Sequence, residues 1–97
     1  MLKAEDAYSH AYALKYKEQK KEERLERYSE ACEYFWRVYQ HDPDLFTLNR
    51  IQSAAESCMW VKDFASAEKF RLFEELYIKR HPTEAEYGDA VPIMSFE

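Results

Sequence analysis

Glycine occurs once in the 97 residues, at Gly88, and proline three times, at Pro43, Pro82 and Pro92. Residues 1–42 and 44–81 thus hold neither helix breaker, which excludes a protein built on tight glycine turns and argues for a chain that is helical nearly throughout. No apolar run approaches the roughly 20 residues needed to span a bilayer, and MLKAEDAYSH has no apolar signal-peptide core, so no membrane insertion is expected. Cysteine is equally scarce. Cys32 and Cys58 form no CxxC pair and suggest no disulfide framework, so two reduced, buried thiols in a soluble, cytoplasmic protein are expected.

Chemistry-bearing patterns are missing too. A single glycine cannot build a phosphate-cradling loop, and neither GxSxG nor HExxH is present. His10, His41 and His81 are scattered, with no His or Cys pair at metal-ligand spacing. No catalytic residue, cofactor or metal is expected, and the chain reads as a non-enzyme. Net positive charge is also lacking: the formal charge is −5. An acidic surface repels phosphate backbones, so nucleic acid is an unlikely partner.

What the chain does have is apolar and aromatic area, 46% and 16% of its residues. That suffices for one domain with a modest core. Spacing of i, i+3, i+4, i+7 sets Ala4, Ala7, Tyr8, Ala11 and Leu14 on one face of a first helix. The side chains there are mostly small, so another helix could approach closely. KYKEQKKEERLER, residues 15–27, is charged but made of good helix formers, and no Gly, Pro or Asn decides whether the first two helices fuse or turn near 18–22. A solvated face is the plain reading of this segment; a weak nucleic-acid patch is the sharper one, diluted by Glu18, Glu22, Glu23 and Glu26.

The next helix should end around His41. Asp42 could cap a third one with Pro43 at its first position, where a missing N–H costs nothing, running to about Val61 with Leu48, Ile51, Ala54, Ala55, Cys58 and Met59 on one face. Lys62 and Asp63 make a turn, with Asp63 an N-cap for a fourth helix from Phe64 to about Arg80. Past Pro82 the character changes: Thr83 and Glu86 form a possible capping box, followed by the short apolar VPIMSFE. The expected division is a helical domain over 1–81 and a C-terminal tail over 82–97.

Laying Ala31 on Ala67 brings Tyr28 onto Phe64 and Val38 onto Glu74. Ile51-x2-Ala54-Ala55-x2-Cys58 precedes the second alanine, and Ala31-x3-Phe35 is followed by Pro43. This resembles the tetratricopeptide repeat, W-x2-L-G-x2-Y then A-x3-F then P, over roughly residues 28–82, with an echo in Ala4-x2-Ala7-Tyr8-x2-Ala11. Arg71 departs from it, standing where the second unit should carry its aromatic. The resemblance implies an all-α fold of antiparallel helical hairpins stacked as a short tetratricopeptide-like array or right-handed helical bundle. In it, Ala31, Ala55 and Ala67 would let backbones approach while Phe35 and Phe64 fill adjacent grooves.

The resemblance further implies a scaffold or adaptor whose concave surface, lined by the helices that open each repeat, holds a partner protein or peptide. Its lining candidates are Tyr8, Tyr12, Lys15, Asn49, Arg50 and Gln52. Further candidates come from the wheel itself. Trp36 falls off the core stripe of Tyr28, Ala31, Phe35, Val38 and Tyr39; Phe46 and Trp60 project away from the Ile51 and Cys58 face; Leu72 and Leu76 form a second stripe on the last helix. About two repeat units are fewer than usually stand alone, so the tail, a homodimer or another protein should cover these surfaces. A self-associating structural protein is the alternative function.

Overall fold

The computed structural model describes residues 1–82. The expected cap at Thr83 and Glu86, and the tail helix, lie outside the described residues. Within them the protein is all-α: α1 spans Leu2–Ala13, α2 Lys21–His41, α3 Leu48–Trp60 and α4 Phe64–Arg80. α1 packs on α2, α2 on α3 and α3 on α4, giving two helical hairpins side by side.

Small residues set how closely the helices approach. Ala4, Ala7 and Ala11 of α1, Ala31 of α2, Ala54 and Ala55 of α3 and Ala67 of α4 are all buried. Backbones can meet at such positions while larger neighbours fill the flanking grooves. Tyr28, Phe35, Ile51 and Phe70 are the bulky side chains that do so. Phe64, expected to fill a groove as Tyr28 does, is instead 57% exposed at the first position of α4.

α1 and α2 are separate helices. The chain leaves α1 through turns in which Leu14 N–H donates to Ala11 O and Lys15 N–H to Tyr12 O, passes an extended Lys17, and makes a short 3-10 turn over Glu18–Lys20. Nothing in the local composition demands this break, because every residue there favours a helix. Packing decides it: a fused helix would strand the alanine face of α1 in water. Arg24, one turn into α2, locks the turn by donating from a guanidinium nitrogen to the Lys15 carbonyl at 2.7 Å.

The start of α3 corrects the sequence expectation. Asp42 makes no side-chain cap bond; Pro43–Leu45 form a separate 3-10 turn; Phe46 is extended; and Thr47 caps α3 by accepting from the Arg50 N–H at 3.3 Å. The cause is Phe46, whose side chain does not project outward as the helical spacing implies. It is buried among Phe35, Tyr39, Phe70 and Phe73, with ring centroids 5.5 to 6.3 Å away. Burying a phenylalanine is worth about 2 kcal/mol or more, which outweighs the turn of helix given up. At the other end, Lys62 takes the left-handed conformation, φ 62°, and Asp63 caps α4 by accepting from the Ser66 N–H.

Cys32 and Cys58 are joined in a disulfide that ties α2 to α3. This overturns the expectation of two reduced thiols. Residues distant in sequence gave no spacing signal, yet the α2/α3 packing sets their Cα atoms 4.9 Å apart, within bridging range. The cytoplasmic expectation rested partly on those thiols and loses that ground. No helix among the described residues is long and apolar enough to cross a membrane.

Candidate functional site: the α1/α3 groove

α1 and α3 are the first helices of the two hairpins, and their outer faces border a groove. Tyr8, Tyr12 and Lys15 line one side and Asn49, Gln52, Ser53 and Glu56 the other. Five of the residues singled out in the sequence thus come together here. The sixth lining candidate, Arg50, lies outside this lining. Its Nε donates to Glu5 Oε2 at 2.7 Å and a second guanidinium nitrogen donates to the Leu45 carbonyl at 2.7 Å. It clamps α1 and the turn before α3 onto each other.

Glu56 is the hub of the groove, and nothing in the sequence singled it out. Its carboxylate accepts from the Tyr8 hydroxyl at 2.8 Å, from the Trp60 indole N–H at 3.3 Å and from the Lys15 ammonium at 3.3 Å. Only the i, i+4 step from Glu56 to Trp60 is visible in the primary structure; the other two partners arrive from α1 and the turn beyond it. Gln52, one turn earlier on α3, donates to Glu74 of α4 at 2.9 Å.

Beneath the groove lies an aromatic floor. Tyr28 is stacked on Trp60 and meets Tyr8 edge-on, and the Arg24 guanidinium sits 4.9 Å from the Trp60 ring centre. Trp60 is therefore a partly buried bridge between the core and the groove. Tyr28 Oη is buried without a hydrogen-bond partner.

The electrostatics follow from this arrangement. Burial, then the hydrogen bond to Glu56 and its charge, push Tyr8 up to about 12. Burial, with the charge of Glu56 next, raises Tyr28 well above the ordinary phenol value. For Lys15, desolvation pulls the pKa down, but the charge and hydrogen bond of Glu56, with Tyr16 and Tyr12, outweigh it and leave the pKa raised. Both phenols are held neutral and the ammonium is held charged.

The remaining candidates lie elsewhere. Trp36 of α2 packs edge-on against Phe70 of α4 and stacks with Tyr39, with the Lys69 ammonium 5.1 Å from its ring centre. Leu72 and Leu76 lie on the outward face of α4, each 51% exposed. In the charged segment, Lys15, Lys20 and Arg27 pair with acids of the same chain and Arg24 is taken up by a carbonyl and an indole ring. Among the described residues no cluster of three or more His, Cys, Asp or Glu could hold a metal ion.

No family model, curated protein or solved structure matches the chain.

Proposed function

We propose that this chain is a small protein-interaction module, a tetratricopeptide-like scaffold or adaptor without catalytic chemistry, which holds a segment of a partner protein in the α1/α3 groove. The observation that carries the proposal is the convergence of Tyr8, Tyr12, Lys15, Asn49 and Gln52 on one groove around Glu56. Exposed aromatic edges beside fixed polar groups are the usual makings of a peptide-binding surface. A photo-crosslinking amino acid in place of Asn49, which is exposed, should capture a partner in cells. The same amino acid in place of the exposed Arg37 of α2 should not. Equal capture from both positions would end the proposal.

A second reading has its own observation. Phe64, Leu72 and Leu76 are 57%, 51% and 51% exposed along α4, an unusual amount of large apolar surface for one helix. That exposure favours self-association through α4, on a face separate from the groove. The two readings are compatible.

A further inference from the structure

The groove contains an ammonium group that takes no part in holding its own turn. Lys15 lies in the turn after α1, and that turn is secured through its backbone carbonyl, held by Arg24, not through its side chain. The ammonium nevertheless reaches across to α3. It lies 3.3 Å from Glu56 Oε2, 4.9 Å from the ring centre of Tyr12 and 6.0 Å from that of Tyr16. A carboxylate on one side and an aromatic face on the other is the general chemistry by which proteins hold an organic cation.

The three donors to Glu56 are not equivalent. Tyr8 and Trp60 are neutral and partly buried, Tyr8 meets Tyr28 edge-on and Trp60 stacks on it, and their hydrogen bonds fix the carboxylate in one orientation. Lys15 is a cation on a long stem in a turn, so its bond is the exchangeable one. We propose that the Glu56 and Tyr12 site is a receptor for a basic side chain, a lysine or arginine presented by a partner peptide, and that Lys15 is its intramolecular occupant. This rests on the interaction-module reading and gives the groove its ligand class.

Two further features agree with that class. The chain carries a net charge of −5, which attracts basic segments and repels acidic ones. An entering carboxylate would meet Glu56 and would have to compete with it for Lys15. An entering ammonium or guanidinium replaces Lys15 with no change in charge at Glu56, and the released Lys15 regains water. Arg24, the other cation nearby, is buried and engaged with the Lys15 carbonyl and the Trp60 ring. It does not line the groove.

A tethered occupant lowers the apparent affinity of every competitor by the fraction of time the site is filled. The test uses three nonapeptides with the same Gly, Ser and Ala flanks and a central Lys, Leu or Glu, titrated into the 15N-labelled chain. The Trp60 indole N–H, assigned with a Trp60→Phe variant, is the reporter. The lysine peptide should shift it and the other two should not. Lys15→Met, which keeps the apolar stem, should tighten the lysine peptide by about tenfold. Glu56→Gln, which still accepts from Tyr8 and Trp60, should abolish the effect with circular dichroism unchanged.

Equal binding of the leucine or glutamate peptide, or no gain in Lys15→Met, would overturn the basic-side-chain receptor and leave the groove as a partner site of another kind. Silence of the Trp60 signal toward all three peptides in Lys15→Met at millimolar concentration would overturn the receptor as well. In that case the crosslinking at position 49 still decides independently whether the groove holds a partner.

Discussion

Trp60 lies flat on Tyr28, with ring centroids 5.2 Å apart and planes within 4° of parallel. Trp60 donates to Glu56 of the groove and Tyr28 belongs to the core, so the stack couples the groove to folding stability. Because the Tyr28 hydroxyl is buried and unpaired, Tyr28→Phe should leave stability unchanged or raise it by about 1 kcal/mol, since it removes a polar group that lost its water. Trp60→Ala should cost about 3 kcal/mol through lost packing. Urea denaturation of the two variants measures both. A loss above about 1 kcal/mol in Tyr28→Phe would mean that the hydroxyl is bonded in solution.

Alkaline pH should weaken the fold through the same group of residues. Tyr8 is raised from 10.0 to about 12, and Tyr28 is raised as well. A phenol with a raised folded-state pKa stabilises the fold fully below its unfolded pKa, and that contribution is lost as pH rises through the folded value. Lys15, also raised, acts in the same direction as its ammonium deprotonates. The contribution of these three groups should therefore be constant through neutral pH and be lost from about pH 10 upward. Tyr8→Phe should make that loss shallower. Denaturation curves at a series of pH values, with tyrosinate absorbance followed in parallel, provide the check; an identical slope in the variant would contradict it.

The disulfide should matter more than any single side chain outside the core. Cys32 and Cys58 are 26 positions apart, and closing a loop of that length restrains the unfolded chain by about 3.5 kcal/mol on the chain-entropy account. Reductant, or Cys32→Ser, should lower the unfolding free energy by roughly that much, and should loosen the α2/α3 contact first because the bridge crosses it. Denaturation with and without reductant, together with hydrogen exchange in α3, tests this. Curves that coincide would show that the bridge does not form.

How much of this is legible in the chain depends on whether the signal is local. The helices, the turn at Lys62 and Asp63, and the cap by Asp63 can be read because spacing and cap chemistry lie within a few residues. Thr47 loses out to Asp42 in a sequence reading because the choice between them depends on Phe46, whose pocket is built from α2 and α4. The Cys32 and Cys58 bridge escapes for the same reason, since only the docking of α2 on α3 brings the two together. At the groove, α1 and α3 supply most of the lining candidates. Glu56 is invisible because a glutamate on a helix surface looks like any other until three donors converge on it. The bonds of Arg50 to Glu5 and the Leu45 carbonyl are equally hidden, because only the docking of α1 beside the turn before α3 brings them together.

That clamp can be tested by itself. Arg50 joins Glu5 of α1 to the Leu45 carbonyl before α3, and its side chain is about one-third exposed at 33%. Partial exposure screens the ion pair, so Arg50→Ala should cost only about 1 kcal/mol, most of it from the charge-assisted bond to the Leu45 carbonyl. The loss should be concentrated in α1. Amide exchange in Leu2–Ala13 should quicken while that in α4 stays put. A uniform change across all helices would argue that Arg50 supports the global fold and not this one junction.

The outward face of α4 yields the last expectation. Leu72 and Leu76 sit one turn apart, so both present to the same side of the helix, and each is 51% exposed. Replacing either with glutamate adds charge where water already reaches, so monomer stability should change by no more than about 0.5 kcal/mol. If α4 pairs with a second copy, the same substitution places two like charges in a symmetric interface, where each residue is met by its own copy or a close neighbour. Light scattering at micromolar concentration should therefore give a dimer for the unmodified chain and a monomer for Leu72→Glu, with superimposable unfolding curves at concentrations where both are monomeric. A monomer in every case would leave the α4 stripe as surface without a second copy upon it, and would direct the search for its occupant to other proteins.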